Sequence, residues 1–117
     1  MPTLRNLLDR LANRSEVEAA FVVGQDGLLI DQVGADGSDA EAVAAMAPNL
    51  LQNARALGDA ASHEDVRSAV VEYGDGVVIV TDISSDIILV TFVRPNASFG
   101  ALLYELRRNR EQIARLV

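Results

Sequence analysis

Apolar positions along the chain follow two periods. Leu4, Leu7, Leu8 and Leu11 recur at i, i+3, i+4 and i+7, one stripe of a short helix with Thr3 as its cap and Asn13-Arg14-Ser15 as its end. Two apolar runs follow, Ala19-Ala20-Phe21-Val22-Val23 and Leu28-Leu29-Ile30. Between them lies Gly24-Gln25-Asp26-Gly27, whose Asp-Gly pair signals a hairpin. Residues 66–93 hold three more runs rich in Val, Ile and Thr, broken at Gly74-Asp75-Gly76 and at Ile83-Ser84-Ser85-Asp86. Branched side chains fit a pleated, half-buried surface, and links this short permit only antiparallel pairing. A three-strand meander is therefore the expected centre of the molecule, with the other elements arranged to cover it.

Ser38-Asp39-Ala40-Glu41 has the form of a capping box and opens a long helix, expected to reach about Leu57 and to stop at Gly58. Val43, Ala47, Leu50, Ala54 and Leu57 are its expected sheet-facing stripe. Beside them Ala42, Ala45, Met46, Asn49, Asn53 and Ala56 form a second stripe of small and amide side chains. Exposed helix faces normally carry more charge than this, so the second stripe reads as an interface. Pro48 removes one backbone hydrogen bond at a cost of roughly 3 kcal/mol and predicts a kink near residues 44–48. Pro95 ends the meander. Asn96 or Ser98 is the expected cap of a single last helix with the stripe Phe99, Leu102, Leu103, Leu106 and Ile113, while Arg107, Arg108, Arg110 and Arg115 lie mostly off it.

The element order is helix, strand, strand, helix, strand, strand, strand, helix. It predicts an α+β fold in one domain over residues 1–117: a five-stranded antiparallel sheet, the long middle helix on one face and the two terminal helices on the other. The first meander strand, expected from Val66 to Tyr73, alternates Val66, Ser68, Val70 and Glu72 with Arg67, Ala69, Val71 and Tyr73. Neither set is strongly charged. As a sheet edge it is poorly protected against pairing with another chain, so Val66, Ser68, Val70 and Glu72 join the expected interface.

Charge adds a direction to this picture. The 117-residue chain has a formal net charge of −7, which argues against nucleic-acid binding. All ten basic residues are Arg. Seven lie in residues 1–14 and 98–117 against three acids, whereas residues 15–97 carry three against fourteen acids. Terminal helices packed side by side would give one basic face on an acidic body, an asymmetry able to orient a partner. There is no cysteine, hence no disulfide frame and no thiolate chemistry. Asp31, Asp36, Asp39 and Glu41 lack calcium-loop spacing, and His63, the one histidine, has no orienting partner or nucleophile in the pattern. No enzyme activity, cofactor or metal is expected. The N-terminal stretch lacks the apolar core of a signal peptide and no run approaches membrane-spanning length, so a cytoplasmic location is expected.

The chain resembles the Roadblock/LC7 family from Leu4 to Leu116. The resemblance rests on Phe21-Val22-Val23-Gly24-Gln25-Asp26-Gly27-Leu28-Leu29-Ile30, on the Ala-rich helix ending near Gly58, on the Val-rich meander, and on Asn96-Ala97-Ser98-Phe99-Gly100-Ala101-Leu102-Leu103-Tyr104-Glu105-Leu106-Arg107-Arg108. It implies a homodimer, or a heterodimer with a related Roadblock chain, formed by the meander's edge strand and by pairing of the long helices. Those are the two surfaces already picked out. Family members regulate or scaffold small Ras-like GTPases, and bacterial ones resembling a gliding-polarity protein act as GTPase-activating partners. On that basis Asn49, Gln52 and Arg55 are the expected GTPase-facing residues, with Arg55 the one cation able to act as a finger in trans. Two other functions are compatible with the pattern. One is a structural scaffold subunit of a larger complex; the other is a small-molecule sensor, disfavoured by central strands almost free of polar side chains.

Overall fold

The computed structural model describes residues 3–34 and 39–116. The elements are α1 (Leu4–Ala12), β1 (Val17–Gly24), β2 (Leu29–Gly34), α2 (Ala40–Ala60), β3 (Ser68–Tyr73), β4 (Gly76–Asp82), β5 (Ile87–Val93), α3 (Gly100–Arg108) and α4 (Arg110–Ala114). The strands form one antiparallel sheet in the order β2-β1-β5-β4-β3. Both hairpins and the meander therefore stand as expected, and β3 is an edge.

The central strands are apolar on both sides, so the sheet needs two covers. Ala20, Val22, Ile79 and Leu89 pack with Leu7, Leu8 and Leu11 of α1, Leu102 and Leu106 of α3 and Ile113 of α4. Phe21, Val23, Val80, Ile88 and Val90 pack with Ala44, Ala47 and Leu51 of α2. Phe21 and Phe92 meet edge to face on the α2 side, ring centres 5.1 Å apart. Val17 and Ala19 would share a face in a regular strand, yet they enter opposite layers. The register of β1 against β5 slips between them, leaving Glu18 exposed. One extra residue in a strand turns everything beyond it over.

The local chemistry of the ends differs from expectation in three places. Asp39 caps α2 by accepting from the Ala42 amide at 3.1 Å; the expected cap, Ser38, lies outside the described residues. Helix α2 does not stop at Gly58 but runs on to Ala60. There the His63 amide donates to the Gly58 carbonyl (2.9 Å) and the Ser62 amide to that of Asp59 (3.2 Å), with Ser62 at φ 61°. This is a Schellman stop in which serine occupies the left-handed position usually held by glycine. The last helix is two helices, capped by neither Asn96 nor Ser98: Asn96 sits at φ 62° in the turn after Pro95, and Phe99 precedes α3 without a side-chain cap. The break falls at Asn109, whose backbone amide (2.9 Å) and Nδ2 (3.0 Å) both donate to the Glu105 carbonyl.

The α2 stripe is also rotated. Ala44, Ala47 and Leu51 are buried, Val43, Leu50 and Ala54 half-buried, and Leu57 is 73% exposed. Leu57 falls on the outward side of the helix with Met46, whereas Arg55, nearer the buried direction, still reaches Asp82 of the sheet. Helix α2 continues through Pro48. Pro48 has no N–H for the Ala44 carbonyl, and that carbonyl faces the β1–β2 turn, where a Cβ added at Gly27 (φ 84°) would stand 3.8 Å from it.

Two ties secure the terminal-helix layer. Arg14 joins Glu16 (2.8 Å) and Glu105 of α3 (2.7 Å); its hydrogen bond to Glu16 is the chief cause that raises its pKa above the ordinary arginine value, against the opposing effect of burial. Arg5 of α1 pairs with Asp31 (3.2 Å) and donates to the Gln32 carbonyl (3.0 Å), closing over part of the β2 edge.

Leu51→Ala should lower the unfolding free energy by about 2–5 kcal/mol, and Leu57→Ala by less than about 0.5 kcal/mol, in urea titrations. Thr91 is fully buried in β5 and its hydroxyl has no hydrogen-bond partner. Thr91→Val, which keeps the shape and removes the unpaired group, should raise stability by about 1 kcal/mol in the same assay.

Candidate partner interface

The outward face of α2 is built by the same periodicity that buries Ala44, Ala47 and Leu51. Ala45, Met46, Asn49, Asn53 and Ala56 are exposed and Ala42 is half-buried, so the expected small-and-amide stripe is on the surface. Met46 is 67% exposed. No charged residue occurs between Glu41 and Arg55. This face offers water apolar side chains and amides alone, at low cost for another surface to cover.

Strand β3 runs beside it. Of the four expected strand residues, Ser68, Val70 and Glu72 lie in β3, but Val66 does not: the strand begins at Ser68, and Val66 is a half-buried connector residue packed into the α2 layer. Ser68 pairs with Thr81, Val70 with Ile79 and Glu72 with Val77. Ile79 and Val77 belong to the terminal-helix layer, so Ser68, Val70 and Glu72 point to that side. Ala69, opposite Val80, points to the α2 side. The two parts of the expected interface thus share the sheet edge but project from opposite faces. Val70 is 42% exposed.

Arg55 has a different place from the one its isolation in the sequence suggested. Its guanidinium donates to the Asp82 carboxylate at 2.9 Å. Asp82 ends β4, and Ile88, opposite it, belongs to the α2 layer. The other oxygen of the same carboxylate accepts from Gln25 Nε2 at 3.0 Å, which also reaches the Ser84 carbonyl at 3.0 Å. The backbone carbonyl of Asp82 accepts from Arg110 of α4. One residue thus ties together α2, the β1–β2 turn, the β4–β5 turn and α4. Only the fold brings these positions together, and no short-range pattern in the sequence could have signalled it. Asn49 and Gln52 are exposed. Among the described residues no group of three or more His, Asp or Glu side chains is placed to hold a metal ion. No helix among them is long and apolar enough to cross a membrane.

A five-stranded antiparallel sheet between one long helix on one face and the terminal helices on the other is the architecture of a Roadblock-type domain. The chain belongs to the Roadblock/LC7 domain family, whose sequence profile matches residues 3–92. Its structure is similar to that of the Roadblock/LC7 domain from Streptomyces avermitilis, with 26% identity, 97% of each chain covered and a TM-score of 0.84. It is also similar to Myxococcus xanthus MglB (17% identity, 94% of this chain and 88% of that one, TM-score 0.78). For the gliding protein MglB from Thermus thermophilus the values are 15%, 96% and 86%, and 0.83. At these identities the two MglB structures share the fold. No curated protein sequence matches the chain.

Arg55→Ala should cost no more than about 1 kcal/mol, because the guanidinium is partly solvated. Asp82→Ala should cost more, about 1–3 kcal/mol, because it strands both Arg55 and Gln25. Urea unfolding of the two variants checks the order.

Proposed function

We propose that this protein is a dimeric, non-enzymatic regulator or scaffold that binds a small Ras-like GTPase. The observation that carries the reading is an exposed α2 stripe without charge, Ala45, Met46, Asn49, Asn53 and Ala56, in a molecule whose strand β3 is an open sheet edge. Two copies joined along β3 would extend the sheet and bring their α2 helices together, burying Ala42, Ala45, Met46, Asn49, Asn53 and Ala56. The family resemblance supplies the GTPase as partner. The likeness to the MglB structures is consistent with it at the level of fold.

Regulation here works by reordering the GTPase's own catalytic residues. Arg55, the one basic residue of α2, is held by Asp82 rather than free to reach outward. Gln52, outside the buried stripe, contacts the GTPase as a hydrogen-bonding group. The same arrangement serves a scaffold that holds the GTPase without altering turnover, and the engaged Arg55 is the observation favouring that second reading. Nucleic acid, a cofactor and membrane insertion have no part in either, and the protein acts in the cytoplasm.

Light scattering is the first test. The native chain should have the mass of a dimer, and Met46→Glu and Val70→Pro should each reduce it to a monomer: the first buries a charge, the second removes an edge N–H. A monomeric native chain would falsify the dimer. With a small Ras-like GTPase that binds the dimer, Arg55→Ala should change stimulated hydrolysis by less than about tenfold. A trans arginine finger would cost ~1,000-fold or more.

A further inference from the structure

Beside the first residues of β3, between the strand edge and helices α3–α4, lies a groove of about 330 Å³. Arg67, Arg107, Arg108, Arg110 and Arg115 line it with Ser68 and Thr81, against one carboxylate, Glu111. Half of the arginines of an acidic chain thus converge on one place. Arg110 is engaged with the Asp82 carbonyl. The other four make no ion pair among the described residues. Guanidinium groups crowded in this way repel one another unless an anion is brought among them.

The geometry of β3 says where that anion comes from. Two copies of one strand related by a two-fold axis pair antiparallel, with the same patch on both sides. If the axis stands perpendicular to the sheet, both α2 helices stay on one face. Residues directly opposite each other then project to the same face, so the numbers of a pair add to an even value. Two registers keep the short strand nearly fully paired: Val70 against Val70, or Val71 against Val71. The first sets Glu72 of one copy opposite Ser68 of the other, and Ser68 is on the groove's wall. Glu72 projects to the terminal-helix side, is exposed, and has no ion pair within its own chain among the described residues. The second register sets Glu72 opposite Val70, away from the groove.

We infer that each copy's arginine groove is completed by the partner's Glu72, in a β3–β3 dimer whose two-fold axis passes between the two Val70 residues. The inference rests on the dimer proposed above and adds its register and its charge contacts. Each groove receives a carboxylate from the other copy, so the contact forms twice. Charge contacts of this kind set register and partner choice more than raw affinity. The valine and backbone contacts of the edge hold the copies together, and the Glu72 contact decides how they are aligned.

Two experiments on the full chain separate register from dimerisation. The chain has no cysteine, so a single introduced one reports its own self-contact. Val70→Cys should form a covalent dimer on mild oxidation, since directly opposed Cα atoms lie roughly 4.5–5.5 Å apart, within disulfide reach. Val71→Cys, displaced by two residues from its own copy, should not. For the charges, Glu72→Arg alone and Arg107→Glu/Arg108→Glu alone should each weaken the dimer about tenfold or more. An equal mixture of the two variants should restore it as a heterodimer, because both grooves then face an opposite charge; native mass spectrometry reads the composition. Cross-linking through Val71→Cys instead, no effect of Glu72→Arg, or no heterodimer in the mixture overturns the inference and leaves the dimer standing. A native chain that is monomeric by light scattering overturns both.

Discussion

The structure depends on one constraint: β1 and β5, at the centre of the sheet, carry apolar side chains on both faces, and neither face can be left in water. Residues such as Val22 and Leu89 require one cover and Phe21 and Val90 the other. Helix α2 is long enough to roof one side by itself. The other side is closed by pieces from the two ends of the chain, which obliges the termini to meet. That meeting collects seven of the ten arginines into one layer. The charge asymmetry of the molecule follows from its core.

The pattern of side chains carried most of this. Continuous apolar runs rich in Val and Ile placed the strands, and the Asp-Gly and Gly-Asp pairs placed the hairpins, because those signals are local. Errors arose where a local rule met a competing contact. Gly58 was a sound helix stop by composition, yet α2 continued until Ser62 and His63 could satisfy its last carbonyls. Leu57 was assigned to the apolar stripe but is in solvent, because the face that packs on the sheet is centred on Ala44, Ala47 and Leu51 and is turned away from it. The last helix divides at Asn109, a polar residue at a position where no hydrophobic period marks a boundary. The bulge at Glu18 turned Val17 to the opposite layer, a shift visible only once β1 is paired with β5.

The exposure of the α2 stripe and the edge position of β3 were legible for a simpler reason. An exposed helix face without charge stands out in any sequence, and so does an edge strand without lysine, proline or an inward charge. What could not be read was the state of Arg55. In sequence it is an isolated cation on a candidate binding helix; in the fold it is one spoke of the Asp82 hub, along with Gln25 and Arg110. Contacts between residues far apart in the chain are decided by where turns end, and a scan along one strand or helix is blind to them.

The two edges of the sheet are unequal. On β2, Arg5 occupies the Gln32 carbonyl and pairs with Asp31; on β3 no such guard is present among the described residues. In the language of polymers, such an inequality is what would lower the valence for strand addition from two to one. A monomer with two sticky edges adds units at both ends and grows a ribbon. One with a single sticky edge can join once, to a second copy in the same state, and each join uses up the only growth site. In the proposed β3–β3 dimer the clasp from α1 would act as a chain terminator, leaving at each outer edge the strand that Arg5 partly occupies.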